Sequence, residues 1–200
     1  MSKGWYIANR AVAAPAQVTI YDEIGCGGVR ASALLASLDG AREVDLRISS
    51  EGGDVFEAVT IYNRLAELDR VQVTVDGLAA SAASVIAMAA SPGCLAMAPR
   101  SRMMVHEAWA GGPSGTAAEL AMLSAVLDGL SDEIAGIYAH RSGRPASYWR
   151  GKMRAETWFT AEQAVAGGLA DYVTGPLGPE AVALVRWQVR QSLREVTGRG

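Results

Sequence analysis

The stretch DGLAASAASVIAMAA, residues 76–90, is almost wholly small and apolar, yet it carries two hydroxyls, Ser81 and Ser84. It continues VQVTVDG, residues 71–77, whose β-branched residues predict a strand. A helix is expected from Ser81 onward. A serine at that junction has two readings. As an N-cap, it satisfies a free amide of the first helical turn. As a nucleophile, it is held outward at a strand-to-helix turn, and the amide that follows it can face an oxyanion. The second reading shares the logic of a nucleophile elbow, although the Gly-x-Ser-x-Gly pattern is absent. A serine hydroxyl reacts only if a base takes its proton, so the rest of the chain has to supply one.

Working outward, the chain alternates strand and helix. VTIYD at 18–22 reads as a strand, and Gly25, Gly27 and Gly28 form a turn before a helix around 29–38. EVDLRIS at 43–49 alternates, with Val44, Leu46 and Ile48 on one face. Asp54 is placed to cap a helix striped by Val55, Val59, Tyr62, Leu65, Ala66 and Leu68. CLAMAP and RMMVHEAW suggest two more strands. A long helix over 116–140 shows Leu120, Leu123, Leu127, Leu130, Ile134, Ile137 and Tyr138 at helical spacing. A shorter one covers 146–153. Thr160 and Gln163 form a capping box, and Gly167 or Gly168 ends that helix. This order predicts an α/β domain with a largely parallel sheet. Residues 1–17 read as an N-terminal arm, 18–175 as the domain, and 176–200 as a helical extension.

Composition narrows the function classes. The chain has 200 residues, 50% hydrophobic and 20% charged, enough for one domain with a substantial core. A formal charge of −3 disfavours a nucleic-acid surface. No apolar run approaches the roughly 18 residues that span a bilayer. The N-terminus lacks a signal-peptide core, so a cytoplasmic protein is expected. Two cysteines, Cys26 and Cys94, suggest free buried thiols, and only two histidines, His106 and His140, argue against a metal site. No cofactor is expected, and no P-loop occurs.

Sites in open α/β sheets form beyond the carboxyl ends of strands. Two such ends stand out. Ser50-Glu51-Gly52-Gly53-Asp54 is a glycine turn whose amides can meet an oxyanion, or it is a tight turn that needs positive φ. The other end carries Ser81. His106, after Met103, Met104 and Val105, is either the base or a structural histidine. His140 reads as a cap at a helix C-terminus.

Together these features form a pattern. SEGGDVFEAVTIYNRL, VDGLAASAAS, SRMMVHEAW and ETWFTAEQAVAGGLADYV, in this order and over about residues 18–174, resemble the ClpP serine peptidases. The resemblance is to their phage and prophage relatives above all. It implies a ClpP/crotonase-like fold of repeated βαβ units with a protruding handle helix. It implies Ser81 as nucleophile, His106 as general base, and the amides of Gly53 and Ala82 as the oxyanion hole. It further implies a ring-shaped homo-oligomer with peptide bound as an added strand. The implied partners are capsid, scaffold or portal proteins trimmed during head maturation, with or without an AAA+ unfoldase.

One element of the family pattern is missing. The orienting aspartate of the family aligns with Lys152, and the acid of phage relatives with Arg154. Glu156 is the nearest carboxylate. Three readings stay open: a triad completed by Glu156, a slow Ser–His dyad, or a degenerate site serving as an assembly module. A Ser–Lys arrangement through Lys152 is a further reading, as is a crotonase-type acyl-CoA enzyme, which would not need both Ser81 and His106.

Overall fold

The computed structural model describes residues 15–175 and the backbone of residues 7–8. Most of the expected arm and the whole of the expected 176–200 helix lie outside the described residues. Within them the order is β1 (Ile7–Ala8), β2 (Ala16–Ile20), α1 (Ala31–Ser37), β3 (Glu43–Ser50), α2 (Val55–Ala66), β4 (Arg70–Ala80) and α3 (Ala82–Ala87). Then come β5 (Leu95–Met97), β6 (Arg102–Val105), α4 (Ala117–Ser142), α5 (Ala146–Arg154), β7 (Thr157–Thr160), α6 (Ala161–Gly167) and β8 (Tyr172–Val173). This is the α/β architecture that the alternation predicts.

The described strands form one sheet in the order β1-β2-β3-β4-β5-β8, with β6 beside β4 and β7 beside β6. The pairs β2–β3, β3–β4, β4–β5, β4–β6 and β5–β8 are parallel. The pairs β1–β2 and β6–β7 are antiparallel. One face of the sheet carries Val18, Ile20, Leu46, Ile48, Val73 and Val75, all buried in the core with the helices. The other face is polar: Gln17 donates to Asp45, and Arg47 donates to Asp76. The alternation in β3 therefore has the meaning given to it, with Val44, Leu46 and Ile48 all buried.

Several boundaries differ from the sequence reading. β2 starts at Ala16 rather than residue 18, because its pairing with β3 begins at Ala16 opposite Val44. Asp54 caps α2 as expected, accepting from the amides of Phe56 and Glu57. The buried stripe of α2 is Ala58, Ile61 and Leu65, so Ala66 turns to solvent. RMMVHEAW is a strand only to Val105. β7 and the two-residue β8 are absent from the sequence reading, since each is too short for its alternation to register. Cys26 is exposed and Cys94 half-buried, which corrects the expectation of two buried thiols. The cap of α4 is Gly143 in the left-handed region, its amide donating to Ala139, while His140 only occupies the last turn.

The long helix is only half seated. Thr116 opens α4 with a full capping box to Glu119. Its buried residues are Ser131, Ile134, Ala135 and Tyr138, all in its second half. Leu120, Met122 and Val126 in the first half are exposed. The apolar stripe predicted along the whole length thus packs on the core only at one end, and the other end projects as a handle.

α5 is pinned by Trp149, which is fully buried and donates from Nε1 to Ser142 Oγ at 2.7 Å. Its ring lies 5.7 Å from Tyr138, 5.1 Å from Tyr148 and 6.2 Å from Phe159. Among the described residues, no helix is long and apolar enough to cross a membrane. Trp149→Ala is expected to lower the unfolding free energy by about 3–5 kcal/mol, the usual cost of emptying a large buried aromatic site. Denaturant titration measures it, and a loss under about 1 kcal/mol contradicts this account of how α5 is held.

Candidate active site

The local structure at the end of β4 assembles the site. Up to Val75, β4 runs in register with β3 and pairs with β5. Between the pairs Ile48–Val75 and Ser50–Ala79 the register shifts. Gly77 lies in that bulge, where an added Cβ would stand 2.9 Å from Ser49 Oγ. Beyond it, Leu78, Ala79 and Ala80 pair with Arg102, Met103 and Met104 of β6. A bulge bends a strand and sharpens its twist, and here β4 exchanges β5 for β6 as its neighbour across the bulge.

Ser81 follows directly. Its amide donates to Met104 O at 3.0 Å, which continues the β4–β6 ladder by one bond. Its backbone then turns to φ 51°, ψ −126°. A residue with a Cβ in so sparsely populated a backbone region carries about 1–3 kcal/mol of strain, so the surroundings have to hold it. The Ser81 carbonyl accepts from Ser84 Oγ at 2.6 Å and from the amide of Ser84 at 2.9 Å. Ser84 is fully buried, and its hydroxyl also bonds Tyr138 OH at 2.7 Å. The two serines therefore have different roles: Ser84 anchors the turn to α4, and Ser81 presents its side chain outward.

Ser81 stands in the N-cap position of α3, but its side chain caps nothing. Its Oγ lies 2.6 Å from His106 Nε2. His106 is the first residue past β6, so the β4–β6 register brings together two groups 25 residues apart in sequence. Among the described residues, Ser81 is the one hydrogen-bond partner of the His106 ring. Burial holds the His106 pKa below its ordinary value, while the charge of Glu156 pushes it back up.

Glu156 is not bonded to His106. It is exposed, has φ 42°, and accepts from Trp158 Nε1 at 3.4 Å. It reaches the imidazole as a charge alone. Lys152 Nζ lies over the Tyr148 ring at 5.6 Å, and the hydrogen-bond partner of the Ser81 hydroxyl is the imidazole instead, so nothing here favours a Ser–Lys pair. Arg154, at the position of the acid in phage relatives, is ion-paired with Glu107.

The glycine turn packs against Ser81. Gly52 and Gly53 have φ of 101° and 139°. A Cβ on Gly52 would fall 2.6 Å from Ala80 O, 2.8 Å from Ser81 Cβ and 2.9 Å from Ala82 N. A Cβ on Gly53 would fall 2.0 Å from Ile24 O. The carbonyl of Gly52 and the amide of Asp54 both bond Ile24, so the amide of Gly53 between them is turned the other way. Ala82 begins α3, and first-turn amides have no carbonyl within their helix. Gly53 and Ala82 thus bring to the walls around Ser81 two amides with no backbone acceptor among the described residues.

Two cavities meet at the Ser81–His106 pair. One, of about 920 Å3, includes Tyr21, Asp22, Glu23, Glu51 and Leu78 in its walls. The other, of about 300 Å3, runs under the handle between Val85, Leu123, Leu127 and Ile134. Trp109 is 70% exposed and borders both. Sequence reasoning does not single out Trp109, whose signal is a large aromatic three residues after His106 and just before a glycine-rich turn. Among the described residues, no cluster of side chains is suited to hold a metal ion.

Known proteins resemble this chain over most of its length. A family model described as Clp protease matches residues 9–176. An ATP-dependent Clp protease proteolytic subunit of Bacteroides fragilis is 31% identical over 141 residues, covering 70% of this chain and 67% of that protein. Proteolytic subunit 3 of Rhodococcus jostii is 33% identical over 141 residues, covering 70% and 69%. Proteolytic subunit 2 of Corynebacterium efficiens is 33% identical, covering 70% of each. The chain spans about two thirds of the length of these relatives.

The charge of Glu156 favours the imidazolium form, so Glu156→Gln lowers the His106 pKa further. NMR titration of the ring is expected to show its protonation moving to lower pH. An unmoved or upward-moved titration contradicts the electrostatic link.

Proposed function

The chain belongs to the Clp protease family, and from that premise we propose that it is a serine endopeptidase with Ser81 as nucleophile and His106 as general base. The observation that carries this reading is the 2.6 Å contact between His106 Nε2 and Ser81 Oγ. The lowered pKa of His106 keeps the ring neutral at neutral pH, as a base has to be. Nε2 takes the hydroxyl proton as Oγ attacks the scissile carbonyl carbon. The oxygen of the tetrahedral intermediate accepts from the amides of Gly53 and Ala82. Collapse breaks the C–N bond, and the imidazolium returns its proton to the leaving amine. A water, deprotonated in turn by His106, hydrolyses the acyl-serine and restores Ser81.

Glu156 assists by field rather than by hydrogen bond. An orienting acid in direct contact is worth roughly 10⁴ in rate, so the arrangement works as a slow dyad. The same lack of a bonded acid favours the alternative, an assembly module that keeps the fold without turnover. A crotonase-type acyl-CoA enzyme gains no support from a Ser–His hydrogen bond.

The substrate is an extended peptide laid as an added strand beside the site. The cavity under the handle suits an apolar side chain. The wider cleft, with Asp22, Glu23 and Glu51 in its walls, disfavours acidic segments. The relatives carry names of subunits of ATP-dependent proteases, and this chain has no P-loop. We therefore place it in a ring-shaped homo-oligomer, in the cytoplasm, with any ATP chemistry in an AAA+ partner. Trimming of capsid, scaffold or portal protein is the finer proposal. It rests on the resemblance to phage members alone.

Cleavage of fluorogenic peptides tests the reading. Ser81→Ala is expected to lower kcat by about 10³-fold or more, with the thermal midpoint nearly unchanged. Activity that survives the substitution excludes Ser81 as nucleophile. A folded wild-type protein that cleaves nothing supports the assembly module. Glu51→Lys is expected to raise kcat/KM for acidic peptides over basic ones by roughly two- to fivefold, an effect that salt screens. Equal ratios in the variant and the wild type contradict the charge account of the cleft.

A further inference from the structure

The segment that carries His106 continues into Glu107 and Ala108, and both are tied to helices. The amide of Ala108 donates to Ser131 Oγ on α4 at 3.0 Å. Glu107 Oε1 lies 3.2 Å from Arg150 Nη2 and 3.3 Å from Arg154 Nε, both on α5. Arg150 also pairs with Asp128 and, at 3.1 Å, with Asp132, both on α4. Its side chain is 10% exposed, whereas the two aspartates are about two thirds exposed.

The charges are unusual for a merely structural lock. Arg150 is a nearly buried cation that serves three carboxylates from two segments. Its Nη1 is buried without a hydrogen bond among the described residues, and so is Glu107 Oε1. Glu107 Oε1 is thus held by charge at ion-pair distance, with no hydrogen bond among the described residues to fix it. A buried ion pair contributes little net stability against an apolar replacement, and its best use is to fix one arrangement among several. The arrangement fixed here is that of the residue next to His106. β6 ends at Val105, so past that point the ladder no longer holds the chain.

We propose that Arg150 is a positioning residue for the reaction: by holding Glu107 against α4 and α5, it keeps the His106 ring within hydrogen-bond reach of Ser81. Two of its three carboxylate partners belong to α4, so the seating of α4 is read at the imidazole. The functional consequence rests on the peptidase reading. The geometric one does not.

The experiment follows both consequences. The chain has two histidines, His106 and His140, so an imidazole ¹H–¹⁵N spectrum at a pH where both are neutral shows two rings, with His140 as internal control. Ser81→Ala in the same spectrum identifies the signature of a released His106. The wild type is expected to show His106 in one tautomer. In Arg150→Met and Glu107→Gln, its signals are expected to move toward the Ser81→Ala pattern while those of His140 stay in place. In peptide cleavage, both variants are expected to lose about tenfold to a hundredfold in kcat, the scale of a roughly 1 Å misplacement, with KM within about twofold. Glu107→Gln removes one charge from a half-exposed side chain and is the variant to rely on if Arg150→Met does not fold. A folded Glu107→Gln protein whose His106 signals match the wild type overturns the proposal. Wild-type protein with a Ser81-dependent His106 signal but no cleavage overturns the peptidase reading and leaves the positioning result to be read from the spectra.

Discussion

The structure depends on how β4 changes partners. Val73, Thr74 and Val75 pair with β5, and Leu78 to Ala80 pair with β6. The exchange takes place across the bulge at Gly77. Without it, the end of β4 would run on beside β5, away from the strand that carries His106. With it, Ala80 lies opposite Met104, and the Ser81 amide takes the Met104 carbonyl. The Ser–His contact is then a consequence of strand register, fixed by backbone hydrogen bonds rather than by the two side chains.

That register explains how a strained turn persists. The positive φ of Ser81 is unfavourable locally. It is offset by bonds on both sides: its amide to β6, and its carbonyl to the side chain and backbone of Ser84. Ser84 in turn meets Tyr138 of α4, and burial raises the Tyr138 pKa well above its ordinary value, so the phenol stays protonated and able to bond. The glycine turn closes the other side, with Gly52 packed so near Ser81 and Ala82 that no side chain fits. Strain stored at one residue and over-determined by its surroundings is a frequent property of reactive positions.

Much of this was legible in the sequence. Alternation in β3 marks its buried face, Asp54 and Thr160 mark two helix starts, and the ordered blocks around Ser81 and His106 point to the pair. Whether the Ser81 side chain caps α3 or faces His106 was not legible, because both arrangements place a serine at the same junction. Only the direction of Oγ separates them. The half-exposed handle escaped for a related reason: an apolar stripe shows which residues share a helix face, not how much of that face finds a partner. Glu156 could be picked as the nearest carboxylate, but its positive φ and its placement short of a hydrogen bond lie in the turn between α5 and β7, which no periodicity encodes. The Arg150 pairs depend on contacts between distant segments, which residue spacing within α5 does not encode.

The most direct measurement is the site and rate of modification by a fluorophosphonate, which reacts with an activated serine hydroxyl. Peptide mapping by mass spectrometry is predicted to find the adduct at Ser81 alone, formed in the wild type and lost in His106→Ala. An adduct spread over other serines, or one formed at Ser81 equally fast without His106, would contradict the claim that strand register joins these two residues into one reacting pair.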